Sequence, residues 1–186
     1  MLKDALTGTD VQVKKHVVAH VRTFPEELIP DLEKCLTDSS YEFIASTLDF
    51  LCALRPENIG AYLERTAAIE GTVGRNVRVK WLEIAYSHTK NAQFLQTMVD
   101  YTSGSYEFRT RVNAAEALKR LGHFDEKMMG NLFNAMMSSN GRLAGPCIEV
   151  LKYFYQQNKW EKVIASYIHG GKWESWQRDK IKVYFF

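Results

Sequence analysis

Long apolar runs are missing from this sequence. The longest are a few residues, such as Val17-Val18-Ala19, far short of the roughly 20 needed to cross a bilayer. The N-terminus also lacks the charged-then-apolar pattern of a signal peptide, so no membrane partner is expected. A strong charge of one sign is missing as well: 24 Lys and Arg against 22 Asp and Glu leave a formal net charge of +2, and no long-range basic field points to nucleic acid. Cysteine is scarce. Cys35, Cys52 and Cys147 stand far apart, an odd number without paired spacing, which argues against a disulfide framework and against a zinc site. They read as buried thiols, which favours a reducing compartment such as the cytoplasm for the isolated chain without fixing the compartment of a larger parent. No run of alternating β-branched residues bounded by hairpin turns occurs, so a sheet is not expected.

What is present is enough to fold. A chain of 186 residues with 46% hydrophobic and 25% charged side chains can bury a sizeable core, and disorder is not expected. Small polar or glycine-containing breaks recur at Gly8, Asp38, Gly71, Gly104, Asn140 and Gly171, at intervals of 30, 33, 33, 36 and 31 residues. That is the period of a solenoid. Each interval has a second, weaker break near its middle, at Phe24-Pro25, Arg55-Pro56, Thr89-Lys90, Phe124-Asp125 and Asn158-Lys159. The expected unit is therefore a helical hairpin, with repeats at about 9–38, 39–71, 72–104, 105–140 and 141–171 and a partial one at 172–186, all in one domain.

Apolar residues within these intervals fall at helical spacing. The first helices read Val11, Val13, Val17, Val21; Phe43, Thr47, Phe50, Leu54; Val77, Trp81, Ile84; Phe108, Val112, Ala115, Leu118; and Leu143, Cys147, Val150, Phe154. The second helices read Leu28, Leu32, Leu36; Ile59, Leu63, Ala67; Phe94, Met98; Met128, Leu132, Met136; and Val163, Tyr167. Such short amphipathic helices are marginal alone, because nucleation is costly and one apolar stripe needs a partner. Stacked hairpins supply it. Ser39 with Glu42 suggests a capping box, Asp10 or Thr9 a cap for the first full hairpin, and Pro25 and Pro56 fall where a helix begins. Pro146 is expected to shift the start of its helix or kink it. The fold expected is all-α, a right-handed α–α superhelix of about five hairpins. Residues 1–8 read as the tail of a second helix whose first is missing, and 172–186 as one more helix, so the chain reads as a piece of something larger.

Ser105-Tyr-Glu-Phe-Arg-Thr-Arg-Val-Asn-Ala-Ala-Glu-Ala-Leu-Lys-Arg-Leu-Gly122 resembles the first helix of a HEAT repeat, with an apolar residue and Arg ahead of a small-residue run. Thr9-Asp-Val-Gln-Val-Lys14 and Arg75-Asn-Val-Arg78 carry weaker copies of its beginning. The likeness covers most of the chain as architecture, but only the fourth repeat in letters. A narrower similarity, on Arg142-Leu-Ala-Gly-Pro-Cys-Ile-Glu-Val-Leu-Lys-Tyr-Phe154, is to the C-terminal helical-repeat region of zinc aminopeptidases of the aminopeptidase-N type. The His-Glu-x-x-His motif of that family is absent, so no metal or catalytic residue carries over. What the resemblance implies is an accessory domain packing against a catalytic domain elsewhere.

The candidate sites are surfaces. HEAT-like stacks place their second helices on the concave side, and Asp31, Glu64, Arg65, Gln93, Gln96, Asp100, Asn131 and Asn134 lie off the apolar stripes of those helices. Their mixed sign suits protein or peptide better than phosphate. Trp173, Trp176, Tyr184 and Phe186 form a second candidate, an aromatic docking end on a last helix with no following repeat. Lys14, Arg78, Arg109 and Arg142 occupy similar early positions in successive first helices and suggest a structural ladder. His16 and His20, at i, i+4, have no Glu between them and no evident third ligand, so they read as a histidine pair and not a metal site. No cofactor is expected. The function expected is a noncatalytic interaction or accessory module. The alternative is a HEAT-like DNA glycosylase acting on alkylated bases, with Trp81 and Asp100 or Trp160 and Asp125 at the lesion, although Glu26, Glu27, Asp31 and Glu33 repel phosphate from the first groove helix.

Overall fold

The computed structural model describes residues 2–21, 23–171 and 173–185. All regular structure among them is helical, with no strand. The chain divides into two compact units, Met1–Leu95 and Gln96–Phe186.

The first unit holds α1 (Leu2–Thr7), α2 (Val11–His20), α3 (Ile29–Lys34, extended at both ends by short 3-10 turns), α4 (Tyr41–Leu54), α5 (Ile59–Thr66), α6 (Asn76–Thr89) and the start of α7 (Ala92–Tyr101). At its centre α4 packs on α2, α3, α5 and α6. Contact on several sides requires a wide apolar face, and Phe43, Ile44, Thr47, Leu48, Leu51 and Cys52 are all buried. Phe50 and Leu54 sit at its edge. Each fully buried Leu or Phe contributes about 1.5–3 kcal/mol. Burial of this kind is what holds an eight-residue helix such as α5, too short to persist alone.

Beyond residue 95 the second unit comprises the rest of α7, α8 (Phe108–Arg120), α9 (Glu126–Met136), α10 (Gly141–Tyr155), α11 (Asn158–Gly170) and α12 (Ser175–Phe185). Here α10 is central and packs on α8, α9, α11 and α12. Ala114, Ala115, Ala117 and Leu118 of α8, and Cys147, Ile148, Leu151 and Phe154 of α10, form buried faces.

Local signals explain most helix ends. Asp10 caps α2 by accepting bonds from the Gln12 and Val13 amides, and Asp125 caps α9 through the Met128 amide at 2.7 Å. Gly122, at φ 66, ends α8 in the left-handed region open to glycine. The cap of α4 is Ser40 and not Ser39: its hydroxyl accepts from the Phe43 amide, while Ser39 donates to Asp38. Pro146 neither moves the start of α10 nor ends it. Asn140 caps the helix at Gly141 and the helix runs through to Tyr155, with Pro146 inside it.

Three faces differ from the sequence reading. In α2 the buried residues are Lys14 and Val18 while Val13 is 44% exposed, because a charged side chain with an ionic partner takes an inward position. Ala67 is exposed beyond the last turn of α5. In α11 the fully buried residues are Ile164 and Ile168, with Val163 and Tyr167 on the flank. The break expected at Asn158-Lys159 falls earlier, since α11 already begins at Asn158.

Candidate functional site

The polar residues off the second-helix stripes do not form one site. In the first unit, Asp31 on α3 accepts from Lys34 at 2.7 Å and lies 3.9 Å from Lys3. The Lys34 bond, followed by the charges of Lys34 and Lys3, holds its carboxyl below the usual range against the cost of burial. Glu64 and Arg65 on α5 and Gln93 on α7 are exposed. In the second unit, Gln96 donates to Asp100, and Asp100 also takes a 2.6 Å bond from Lys127 on α9, which holds that carboxyl low as well. Asn134 is exposed, whereas Asn131 is drawn inward and donates to Thr102 Oγ1 at 2.9 Å.

The partner of Asn131 is a residue the sequence did not single out. Arg111 of α8 is 8% exposed. Its Nε donates to the Thr102 carbonyl at 3.1 Å and an Nη to the Asn131 carbonyl at 3.5 Å. It is the fourth residue of its helix, as Lys14 is of α2, and Lys14 makes a 2.7 Å ion pair with Asp38. The expected ladder is therefore not uniform. Arg78 lies over the Trp81 ring at 4.6 Å and reaches the Ala67 carbonyl, and Arg109 lies over Phe108. Two inward cations at the fourth helix position were the available signal, masked by the more regular row beside them.

A groove does lie on the second helices. Between α9 and α11, within the second unit, a cavity of about 670 Å³ is bordered by Glu126, Lys127, Met129, Lys162, Val163 and Tyr167. Mixed charge over an apolar floor suits an extended peptide, with side chains to seat and main-chain groups to satisfy.

At the aromatic end, Trp173 is half-buried. Its indole donates to the Ile168 carbonyl at 2.8 Å and its ring lies 5.7 Å from those of Phe133 and Tyr167. Trp176, 49% exposed, donates to Glu174, and Tyr184 is exposed beneath the Lys152 ammonium. Phe186 lies outside the described residues. Trp173 thus belongs to the packing of α9, α11 and α12, and the outward aromatic surface is Trp176 and Tyr184.

His16 and His20 stack at 4.0 Å on the exposed side of α2, with His20 Nδ1 3.0 Å from the His16 carbonyl. Among the described residues no group of three or more His, Cys, Asp or Glu is arranged to hold a metal. All three cysteines are buried and unpaired, and burial pushes the Cys52 and Cys147 thiols up to about 11, away from nucleophile chemistry at neutral pH. Trp81 donates to the Leu63 carbonyl. Trp160 packs on Phe124, while the Asp125 carboxylate is engaged by the Met128 amide and His123. No described helix is long and apolar enough to cross a membrane. Compared with protein-family models, curated proteins and solved structures, the chain matches none.

Proposed function

We propose that the chain is a noncatalytic binding module, a stack of about five HEAT-like hairpins that takes a protein or peptide segment along its second helices. The observation that carries the reading is an alternation of contacts. In the first unit α2 packs on α4 and α4 on α6, and in the second α8 packs on α10 and α10 on α12. First helices thereby adjoin one another within each unit, which supports a stack of hairpins. The groove between α9 and α11 is bordered by two of the helices read as second helices. A catalytic domain carried by the same parent chain, as the aminopeptidase-like segment implies, is one partner of the required kind.

The test is affinity capture with the full chain, comparing wild type with Lys162→Glu and Tyr167→Ala in the groove and Lys15→Gln as a control on α2. A defined protein recovered by wild type and the control, and lost from both groove variants with unchanged circular dichroism, is the expected result. Turnover of a substrate that survives purification and disappears on one point substitution would overturn the noncatalytic reading.

A further inference from the structure

A second cavity of the second unit, about 510 Å³, opens where the end of α11 turns into α12. Its floor is apolar. Ile168 and Ile181 are buried, and Trp173 presents a ring whose only polar atom already donates to the Ile168 carbonyl. Gly171 is required for this floor, because a Cβ there would collide with the Trp173 indole. Its rim carries two cations, Arg178 and Lys182, with His169 beside them. Arg178 Nε donates to the Trp173 carbonyl at 2.9 Å, which anchors the guanidinium and leaves its terminal nitrogens directed by neither an ion pair nor another hydrogen bond among the described residues. Lys182 follows one helical turn later and likewise has no ionic or hydrogen-bond partner among them. No acidic residue is among the described residues that line the cavity. Of the acids nearest in the chain, Glu174 accepts a bond from Trp176, and Asp179, next to Arg178, is exposed and does not line the cavity.

We infer that this cleft binds a medium-chain fatty carboxylate, with its apolar chain over Ile168, Ile181 and Trp173 and its carboxylate held by Arg178 and Lys182. The charge of the rim selects the sign of the head group. A guanidinium with a fixed root matches a planar carboxylate better than a diffuse charge does. An apolar floor beneath a cationic rim selects a molecule with one head and one tail over a small inorganic anion, and the cavity is of a size that encloses such ligands. The site is independent of the groove between α9 and α11 and does not rest on the protein-binding reading.

Titration calorimetry of the full chain with sodium decanoate, below its micelle concentration, tests this directly. One saturable site is expected, weakened at least tenfold in Arg178→Gln/Lys182→Gln, with butyrate and 1-decanol both binding at least tenfold more weakly than decanoate. Decanoate should also change the tryptophan fluorescence of wild type but not of Trp173→Phe. Lys162→Glu, in the other groove, should leave the titration unchanged. Should the double variant not fold, Lys182→Glu alone, at an exposed and unpaired side chain, reads the same loss. Absence of a saturable site, undiminished binding in a folded Lys182→Glu chain, or equal affinity for decyltrimethylammonium would overturn the inference.

Discussion

A hydroxyl buried without a partner loses its bonds to water and regains none. Thr47 Oγ1 is in that position inside α4: the residue is fully buried and the oxygen has no hydrogen-bond partner among the described residues. Valine keeps the shape and removes the hydroxyl. Thr47→Val is therefore expected to raise stability by about 1–2 kcal/mol, read as a higher urea midpoint at unchanged slope. A lower midpoint would show that the hydroxyl is satisfied in solution. The Lys14–Asp38 pair presents the opposite case, with both side chains 11% exposed and fully engaged. Burial raises the Asp38 carboxyl, but the bonds from the Lys14 ammonium and the Ser40 amide outweigh it, and the net shift is below the ordinary 3.8. A carboxyl depressed by folding adds stability that is complete above its unfolded value and drains as pH falls through the lower folded one. Asp38→Asn, which leaves Lys14 buried without its countercharge, should thus cost about 3 kcal/mol at neutral pH. The gap to wild type should narrow below about pH 4, as urea melts across that range would show. A gap independent of pH would mean the loss comes from packing.

At the scale of elements, most helix boundaries were legible because they are set by a few adjacent residues. Asp10, Asp125 and Asn140 each cap a helix through their own side chains, and turn-forming residues announce such caps without knowledge of the fold. Buried faces were less legible. A stripe at spacings of three and four suits a helix packed on one side, whereas α4 is packed on several and also buries Ile44, Leu48, Leu51 and Cys52, outside the expected stripe. Arg111 was hidden for another reason: an inward cation is recognisable only beside its acceptors, and the Thr102 and Asn131 carbonyls lie 9 and 20 residues away. The cleft below α11 escaped because its parts come from a turn and two helices, although Arg178, Ile181 and Lys182 share one helical face. One boundary carries a testable strain. Lys90 ends α6 at φ 57, in the left-handed region, with its amide bonded to the Tyr86 carbonyl. A side chain there costs about 1 kcal/mol that glycine avoids, against a 5.4 Å contact of its ammonium with the Tyr86 ring. Lys90→Gly should raise the melting temperature by a few degrees in a thermal scan. An unchanged or lower value would show that the ring contact outweighs the strain.

For the molecule as a whole, net charge conceals how the charges are distributed. Twenty-four basic residues would suffice for a nucleic-acid surface if they were gathered, but many are held singly by acids. Lys15 pairs with Glu42, Lys34 with Asp31, Arg55 with Glu26 and Glu57, Arg75 with Glu70, Lys80 with Asp49 and Glu83, and Lys127 with Asp100. Phosphate binding draws its affinity from counterions displaced by several clustered cations, and each contact steepens the dependence on salt. Those paired cations must leave their acids first, and what the surface does bind is screened at physiological ionic strength. The full chain is therefore expected to leave a heparin column at or below about 0.15 M salt, with the Arg178→Gln/Lys182→Gln variant eluting only slightly earlier. Retention well above that concentration, lost on charge reversal at Lys127 and Lys162, would place a polyanion in the groove between α9 and α11. It would also bring the glycosylase reading ahead of the peptide one, because the same groove serves either ligand and only the free charge along it distinguishes them.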